Sequence, residues 1–204
     1  MTNPTAISRS FITLNALRNG FTLIELVIVI SLMGIISAIA APQIYQIMPA
    51  VRVNSASRQV VSEMHLLKMR AISENRKYRI IFGTPTRNQY SIQQDGNRDD
   101  DYSDACDTIV KTETLPPGII FGTNANKNTS GSVLTCADDG ICFGTDNGAS
   151  FKPGGTADCG SVYLIPEEDK RSGRNDRMRA ISINSAARIK AWRYKGGSSP
   201  WTSY

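Results

Sequence analysis

The chain has 204 residues, of which 41% are hydrophobic, and its formal net charge is +5. This length supports one well-buried core and excludes an assembly of several large domains. The charge is uneven, because segment 95–169 holds 14 acidic and 4 basic residues, whereas segment 170–204 holds 9 basic residues and one acid, Asp176.

The chain starts with a basic leader that is followed by an apolar run. Residues 1–20 contain Arg9 and Arg18 and no acid, and residues 21–41 contain one ionisable side chain, Glu25. A helix of 21 residues at about 1.5 Å per residue spans roughly 30 Å, the hydrocarbon thickness of a membrane. We therefore predict a membrane-spanning helix over 21–41. The basic flank favours a cytoplasmic N-terminus, with the rest of the chain on the far side.

A cleaved secretory signal is the alternative interpretation of this region. Ala38 and Ala40 have the spacing of small residues that precedes a signal-peptidase cut. The apolar run exceeds the about 7–15 residues of a typical signal core, which favours a helix that is retained.

Glu25 is the unusual residue of the apolar run. A charged side chain inside a membrane costs about 2.5–3.5 kcal/mol, so an intramembrane carboxylate suggests a function. The alternative is that Glu25 reaches the interface and suits the positive end of the helix dipole.

An amphipathic pattern continues the helix over residues 42–76. Pro42 is expected to bend the helix rather than end it. Apolar residues recur at steps of three and four, with charged residues between them, which is typical of one buried helix face. They are Val53, Ala56, Val60, Met64, Leu67 and Ala71.

From residue 77 the hydrophobic pattern changes from helical spacing to alternation, with a period of two residues. Short β-branched or aromatic segments such as "KYRIIFGT", "NQYSIQQD" and "GSVYLIPE" alternate with Gly, Pro, Asn and Asp. Segments 95–107 and 122–140 are polar and read as loops. The sequence therefore predicts an α+β fold, in which a long N-terminal helix packs on an antiparallel β domain over residues 77–204.

All four cysteines lie in the part expected outside the membrane: Cys106, Cys136, Cys142 and Cys159. An even count in an oxidising compartment favours two disulfides, and we prefer Cys136 with Cys142 and Cys106 with Cys159. Zinc is the alternative, but no C-x-x-C pair exists and His65 lies far upstream.

The acidic stretch that starts at Asp95 opens like a calcium loop. It departs from that pattern where Asp100 replaces the required glycine and Cys106 replaces the bidentate glutamate. A solvated loop is favoured, with another calcium geometry through Asp101, Asp104 or Asp107 left open. We expect no metal, no cofactor and no enzymatic activity.

The stretch "GFTLIEL" resembles the processing signal of type IV pilins and type II secretion pseudopilins. The resemblance implies that prepilin peptidase cuts between Gly20 and Phe21 and N-methylates Phe21. It also implies that Glu25 pairs with the new amine of a neighbouring subunit and sets the stagger of a filament.

The β segments are similar to the FimT/GspH group of minor pilins and pseudopilins, through "LPPGIIFG", "ICFGTDNGAS" and "RAISINSAARIKAWR". The resemblance implies a single-pass protein of the bacterial inner membrane with a periplasmic C-terminal domain. Its expected partners are prepilin peptidase, membrane lipid and other subunits of a secretion or pilus filament.

The basic C-terminal end carries a second functional hypothesis, capture of DNA for uptake. Its candidate residues are Arg188, Lys190, Trp192 and Arg193, because cations suit phosphates and flat rings suit bases. FimT-like uptake pilins carry a GRxR motif near this place, whereas residues 187–190 here read Ala-Arg-Ile-Lys. The alternative is a solvated strand face with Trp192 packed on the body.

Overall fold

The computed structural model describes most of the chain, which divides into two compact units with the boundary between Gln43 and Ile44. The described residues are 20–97, 99, 102, 107–134, 136, 139–144, 146–197 and 200–204.

Helix α1 spans Leu23–Ser73, 51 residues, and continues through Pro42. It contains a stretch that is long and apolar enough to cross a membrane, and the side chains of that stretch are unburied. The helix ends before Asn75, which has φ 50°. This left-handed conformation is a common way for a helix to stop.

Within the second unit, one face of α1 is buried. Six apolar residues at steps of three and four are fully inaccessible: Val53, Ala56, Val60, Met64, Leu67 and Ala71. They are the residues that the amphipathic pattern predicts for the buried face, so that prediction is confirmed.

Strands and one short helix follow α1 in the described residues. In chain order they are β1 Tyr78–Phe82, β2 Gln89–Gln94, β3 Thr108–Thr114, β4 Ile119–Phe121, β5 Ile141–Cys142, β6 Gly148–Phe151, β7 Gly160–Pro166, α2 Glu167–Ser172, β8 Arg179–Ile183, β9 Ile189–Tyr194 and β10 Trp201–Ser203. Neither α2 nor β10 is predicted by the sequence pattern.

The strands form two antiparallel sheets. The first has the order β3-β2-β1-β6, and the second has the order β10-β9-β8-β7-β4, with β5 also paired to β7. The register between β8 and β9 places Ile183 opposite Ile189 and Ala180 opposite Trp192.

The main core lies where the buried face of α1 meets side chains from both sheets. Strand β7 is buried on both faces, because Val162 and Leu164 join this core while Tyr163 and Ile165 join a second cluster. Ala125, Met178, Ala180 and Trp201 complete the second cluster on the opposite face of the second sheet. The predicted α+β fold, a long helix packed on antiparallel strands, is confirmed.

Candidate functional site

The N-terminal candidate residues lie at the start of α1. Gly20 and Phe21 precede the helix and are exposed, and Glu25 is in its first turn. The backbone N–H of Glu25 donates to Thr22 Oγ1 at 3.2 Å, so Thr22 caps the helix. The sequence "TLIE" has the threonine and glutamate spacing of a capping box, a signal that the sequence analysis missed.

This cap gives Glu25 a local reason to be acidic. A carboxylate in the first turn interacts favourably with the unpaired N–H groups of the helix. The side chain of Glu25 is exposed and stays available to a second group. Capping and assembly are therefore compatible roles for the same residue, and the assembly role stays a prediction.

The first half of α1 presents apolar side chains all around its axis. Large hydrophobic residues from Phe21 to Ile39 are between 41% and 82% exposed. Patches of this extent on soluble proteins are rare and indicate contact with lipid or with another protein. A helix that is apolar on every side is the type that inserts into a membrane.

The C-terminal candidate residues lie on and beside β9, where three of the four come together. Arg188, Lys190 and Trp192 line one groove of about 580 Å³. Lys190 Nζ lies 5.6 Å from the centre of the Trp192 ring, within range of a cation–π contact. The Trp192 indole N–H donates to Ser182 Oγ at 2.8 Å, which fixes the ring beside the second core cluster.

Arg193 does not belong to this groove. Successive side chains of a strand point to opposite faces, so Arg193 shares a face with Ile189, which packs against the main core. It lines a different cavity together with Arg179. The predicted DNA-binding set includes Arg193, whereas the alternation of the strand places it on the face opposite Lys190 and Trp192.

The turn before β9 holds the position where uptake pilins have a glycine. Ala187 has φ 50°, a left-handed conformation that glycine adopts at no steric cost. Its carbonyl accepts a hydrogen bond from Lys68 Nζ at 3.1 Å, and the N–H of Arg188 donates to Asn184 Oδ1 at 2.8 Å. The backbone of this turn is thus held in place although alanine replaces glycine.

Two basic residues between α2 and β8, Arg174 and Arg177, are paired with acids. Arg174 pairs with Asp176 at 2.6 Å and lowers the pKa of that carboxyl. Arg177 binds the buried carboxylate of Asp169, with its Nε 2.8 Å from Oδ2. These arginines are engaged within the domain.

One of the two expected disulfides is present. Cys136 is bonded to Cys142, as predicted. Among the described residues, Cys159 is exposed and has no disulfide partner. Since Cys106 lies outside the described residues, the second pairing stays a prediction.

The acidic loop forms no recognisable metal centre within the part of the chain that the structure describes. A hydrogen bond links the two ends of this loop: the N–H of Gly96 donates to Asp107 Oδ1 at 3.1 Å. Asp100, Asp101 and Asp104 lie outside the described residues, so their calcium binding is untested.

Comparison with known proteins gives two matches to families. Residues 15–41 match the prokaryotic N-terminal methylation motif, and residues 56–187 match the type II transport protein GspH. No curated protein matches the chain in a direct search.

Solved structures with a similar arrangement include two minor subunits. The minor pseudopilin EpsH of the Vibrio cholerae type 2 secretion system is 10% identical, with a TM-score of 0.44, over 70% of this chain and 97% of that one. The type IV minor pilin FimU of Pseudomonas aeruginosa is 16% identical, with a TM-score of 0.44, over 74% of this chain and 92% of that one. The match over residues 56–187 covers more than half of the chain, which therefore belongs to the GspH family of type II transport proteins.

Proposed function

We propose that the chain is a minor pseudopilin or minor pilin, a structural subunit of a type II secretion or type IV pilus machine. It inserts into the bacterial inner membrane through α1, with a cytoplasmic N-terminus, and assembles through this helix into a periplasmic filament. The observation that carries the proposal is the methylation motif over residues 15–41, which includes the first half of α1 with its exposed apolar side chains on all sides.

In this proposal, prepilin peptidase cuts between Gly20 and Phe21 and methylates the new amine of Phe21. The mature chain then has 184 residues, which is 204 minus the 20 of the leader. Gly20 and Phe21 are exposed ahead of the helix, which supports access of a peptidase to the bond between them.

The intact mass of the protein purified from membranes tests this processing. We expect a mass that corresponds to residues 21–204 plus one methyl group. A chain that begins at residue 41 would lack the membrane helix and would refute both the anchor and the filament role.

Glu25 is proposed to pair with the terminal amine of a neighbouring subunit. Four residues at about 1.5 Å each place Glu25 roughly 6 Å along the helix axis from Phe21, so a small axial shift of a neighbour aligns the two charges. Glu25→Gln removes the charge at nearly constant shape, and we expect the variant to insert and fold but to be depleted from filaments. Thr22→Val is the matched control, because it removes the cap and keeps the carboxylate. Normal recovery of Glu25→Gln in purified filaments would exclude the pairing.

Capture of DNA is a second candidate function, favoured by the groove of Arg188, Lys190 and Trp192. Cations for phosphates and an aromatic face for bases suit a nucleic acid bound without sequence preference. Two basic residues are few for such a surface, so we expect weak binding.

The test is a salt titration of DNA affinity with the full chain in neutral detergent. Removing both cations by Arg188→Ala/Lys190→Ala should flatten the log–log salt slope by up to about 2 units. The control is Arg171→Ala/Arg174→Ala, which removes two exposed arginines that pair with Glu167 and Asp176. Absence of binding at low salt, or equal slopes for wild type and Arg188→Ala/Lys190→Ala, would reject this groove as a DNA site.

A further inference from the structure

A second basic cavity lies on the opposite side of the second sheet, outside the groove of Lys190 and Trp192. Its volume is about 340 Å³. Four of the residues that line it are basic, and they come from α1, β8, β9 and the turn after β9. They are Arg58, Arg179, Arg193 and Lys195. The other described residues of the lining are neutral side chains.

The centre of this cavity is a buried guanidinium. Arg179 is 4% exposed, and its Nε donates to Asn54 Oδ1 at 2.8 Å while Nη1 donates to the carbonyl of Met178 at 2.8 Å. Nη1 also donates to the carbonyl of Arg177 at 3.3 Å, and all three acceptors are neutral. Burial lowers the pKa of Arg179 and the charge of Arg193 adds to this shift, whereas Tyr204 and the more weakly acting charge of Asp176 oppose it. A buried cation without a direct ion pair is costly, and a bound anion would reduce that cost.

The three outer cations increase the positive charge at the mouth of the cavity. Arg58, Arg193 and Lys195 are exposed. The ion pairs seen in the described part of the chain involve other cations, such as Arg171, Arg174 and Arg177. Like charges that converge in one cavity repel each other, and an anion between them reverses the sign of this interaction.

We propose that this cavity is an oxyanion site that takes a phosphate group, either as free phosphate or as a phosphomonoester headgroup. Guanidinium groups bind phosphate oxygens through paired hydrogen bonds. Cations supplied by several separate elements suit the four oxygens of a tetrahedral anion better than a planar carboxylate. The hydroxyl groups of Thr202 and Ser203 line the same cavity and add neutral donors.

Isothermal titration of inorganic phosphate into the full chain in neutral detergent tests the site. The pocket variant is Arg58→Gln/Arg193→Gln, which leaves the buried Arg179 in place. The matched control is Lys152→Gln/Arg171→Gln, which removes two exposed cations that line neither basic cavity. Melting temperatures of both variants establish that they are folded.

We expect the wild type and the control to bind phosphate with equal affinity and the pocket variant to bind at least about tenfold more weakly. Displacement of phosphate by a short-chain phosphatidic acid, but not by the matching phosphatidylcholine, would assign the site to a headgroup, and failure of both to displace it would assign the site to free phosphate. Absence of phosphate binding to the wild type would overturn the proposal. So would an equal loss in the two double variants, or succinate binding as tightly as phosphate.

Discussion

The buried ion pair of Asp169 and Arg177 gives the sharpest test of what stabilises the domain around α2. The Asp169 side chain is 2% exposed and that of Arg177 is 14% exposed. The guanidinium binds both carboxylate oxygens, with Nε 2.8 Å from Oδ2. The carbonyl of Asp169 also accepts from Asn124 Nδ2 at 2.9 Å, which connects α2 to the loop after β4.

The perturbation is Arg177→Met, which keeps most of the side-chain length and removes the charge. It leaves a buried carboxylate without its partner, and breaking a buried pair in this way costs about 3–5 kcal/mol. A domain of about 150–250 residues loses roughly 2–4 °C of melting temperature per kcal/mol, so we expect a decrease of about 6–20 °C.

Thermal unfolding of the full chain in detergent, followed by near-ultraviolet circular dichroism of the aromatic side chains, measures the effect. Arg171→Met is the matched control, because the Arg171–Glu167 pair is also made by α2 but its side chains are 77% and 46% exposed. Exposed pairs contribute about 0–0.5 kcal/mol, so this variant should melt within about 2 °C of the wild type. Asp169→Leu/Arg177→Met should recover most of the loss, because it removes both charges. Equal melting of Arg177→Met and Arg171→Met would refute this reasoning.

Three further predictions concern packing, pH and covalent structure. A methyl group at Gly160 would overlap the Phe143 ring and come within 2.5 Å of the Cys142 carbonyl. In a denaturant titration, Gly160→Ala should therefore lower the free energy of unfolding by about 1–3 kcal/mol. The control Gly154→Ala places its methyl group in open space and should leave the free energy of unfolding unchanged or raise it. Burial raises the pKa of Tyr90 to about 12, because the folded domain favours the neutral phenol. The stability that this preference contributes is therefore complete below pH 10 and is lost toward pH 12. Melting of Tyr90→Phe should therefore fall less over this range than that of the wild type. Non-reducing peptide mapping after cleavage between Cys136 and Cys142 should recover the two cysteine peptides joined by their disulfide, and recovery of alkylated Cys142 would contradict this.

The periodic parts of the sequence predict the fold well. The spacing of Val53, Val60 and Leu67 identifies the helix face that is buried in the main core. Alternation likewise identifies β1 and β8, where inward-facing residues join the same core. These elements are predictable because local periodicity and tertiary burial require the same residues.

The parts that the sequence does not predict depend on tertiary contacts. The glycine- and serine-rich run 196–200 carries no strand pattern. In the fold, however, the N–H of Lys195 donates to the Pro200 carbonyl at 2.6 Å, and Trp201 begins β10 beside β9. Trp201 is then buried by Tyr163 and Tyr194, with ring centres 5.3 and 5.0 Å away. An isolated strand of three residues carries too little pattern to be detected, and its stability comes from these aromatic contacts.

The basic end of the chain also has a different meaning in three dimensions from the one that its composition suggests. From composition alone, the nine cations in the last 35 residues would form one positive surface, and the acidic middle segment would weaken its binding of anions. In the fold, Asp169 and Glu167 of that acidic segment neutralise Arg177 and Arg171, so part of the acidic segment cancels part of the basic end.

The remaining cations are divided by the alternation of β9. Lys190 points to the groove beside Trp192, whereas Arg193 points to the cavity around Arg179. Each surface is left with two to four cations, too few for binding by charge alone at physiological salt. Affinity at either surface must therefore depend on local geometry, which is the aromatic face of Trp192 on one side and the buried guanidinium of Arg179 on the other. Variants that keep net charge constant but exchange cations between the two faces should consequently separate the two binding activities, whereas a surface effect of total charge would leave both unchanged.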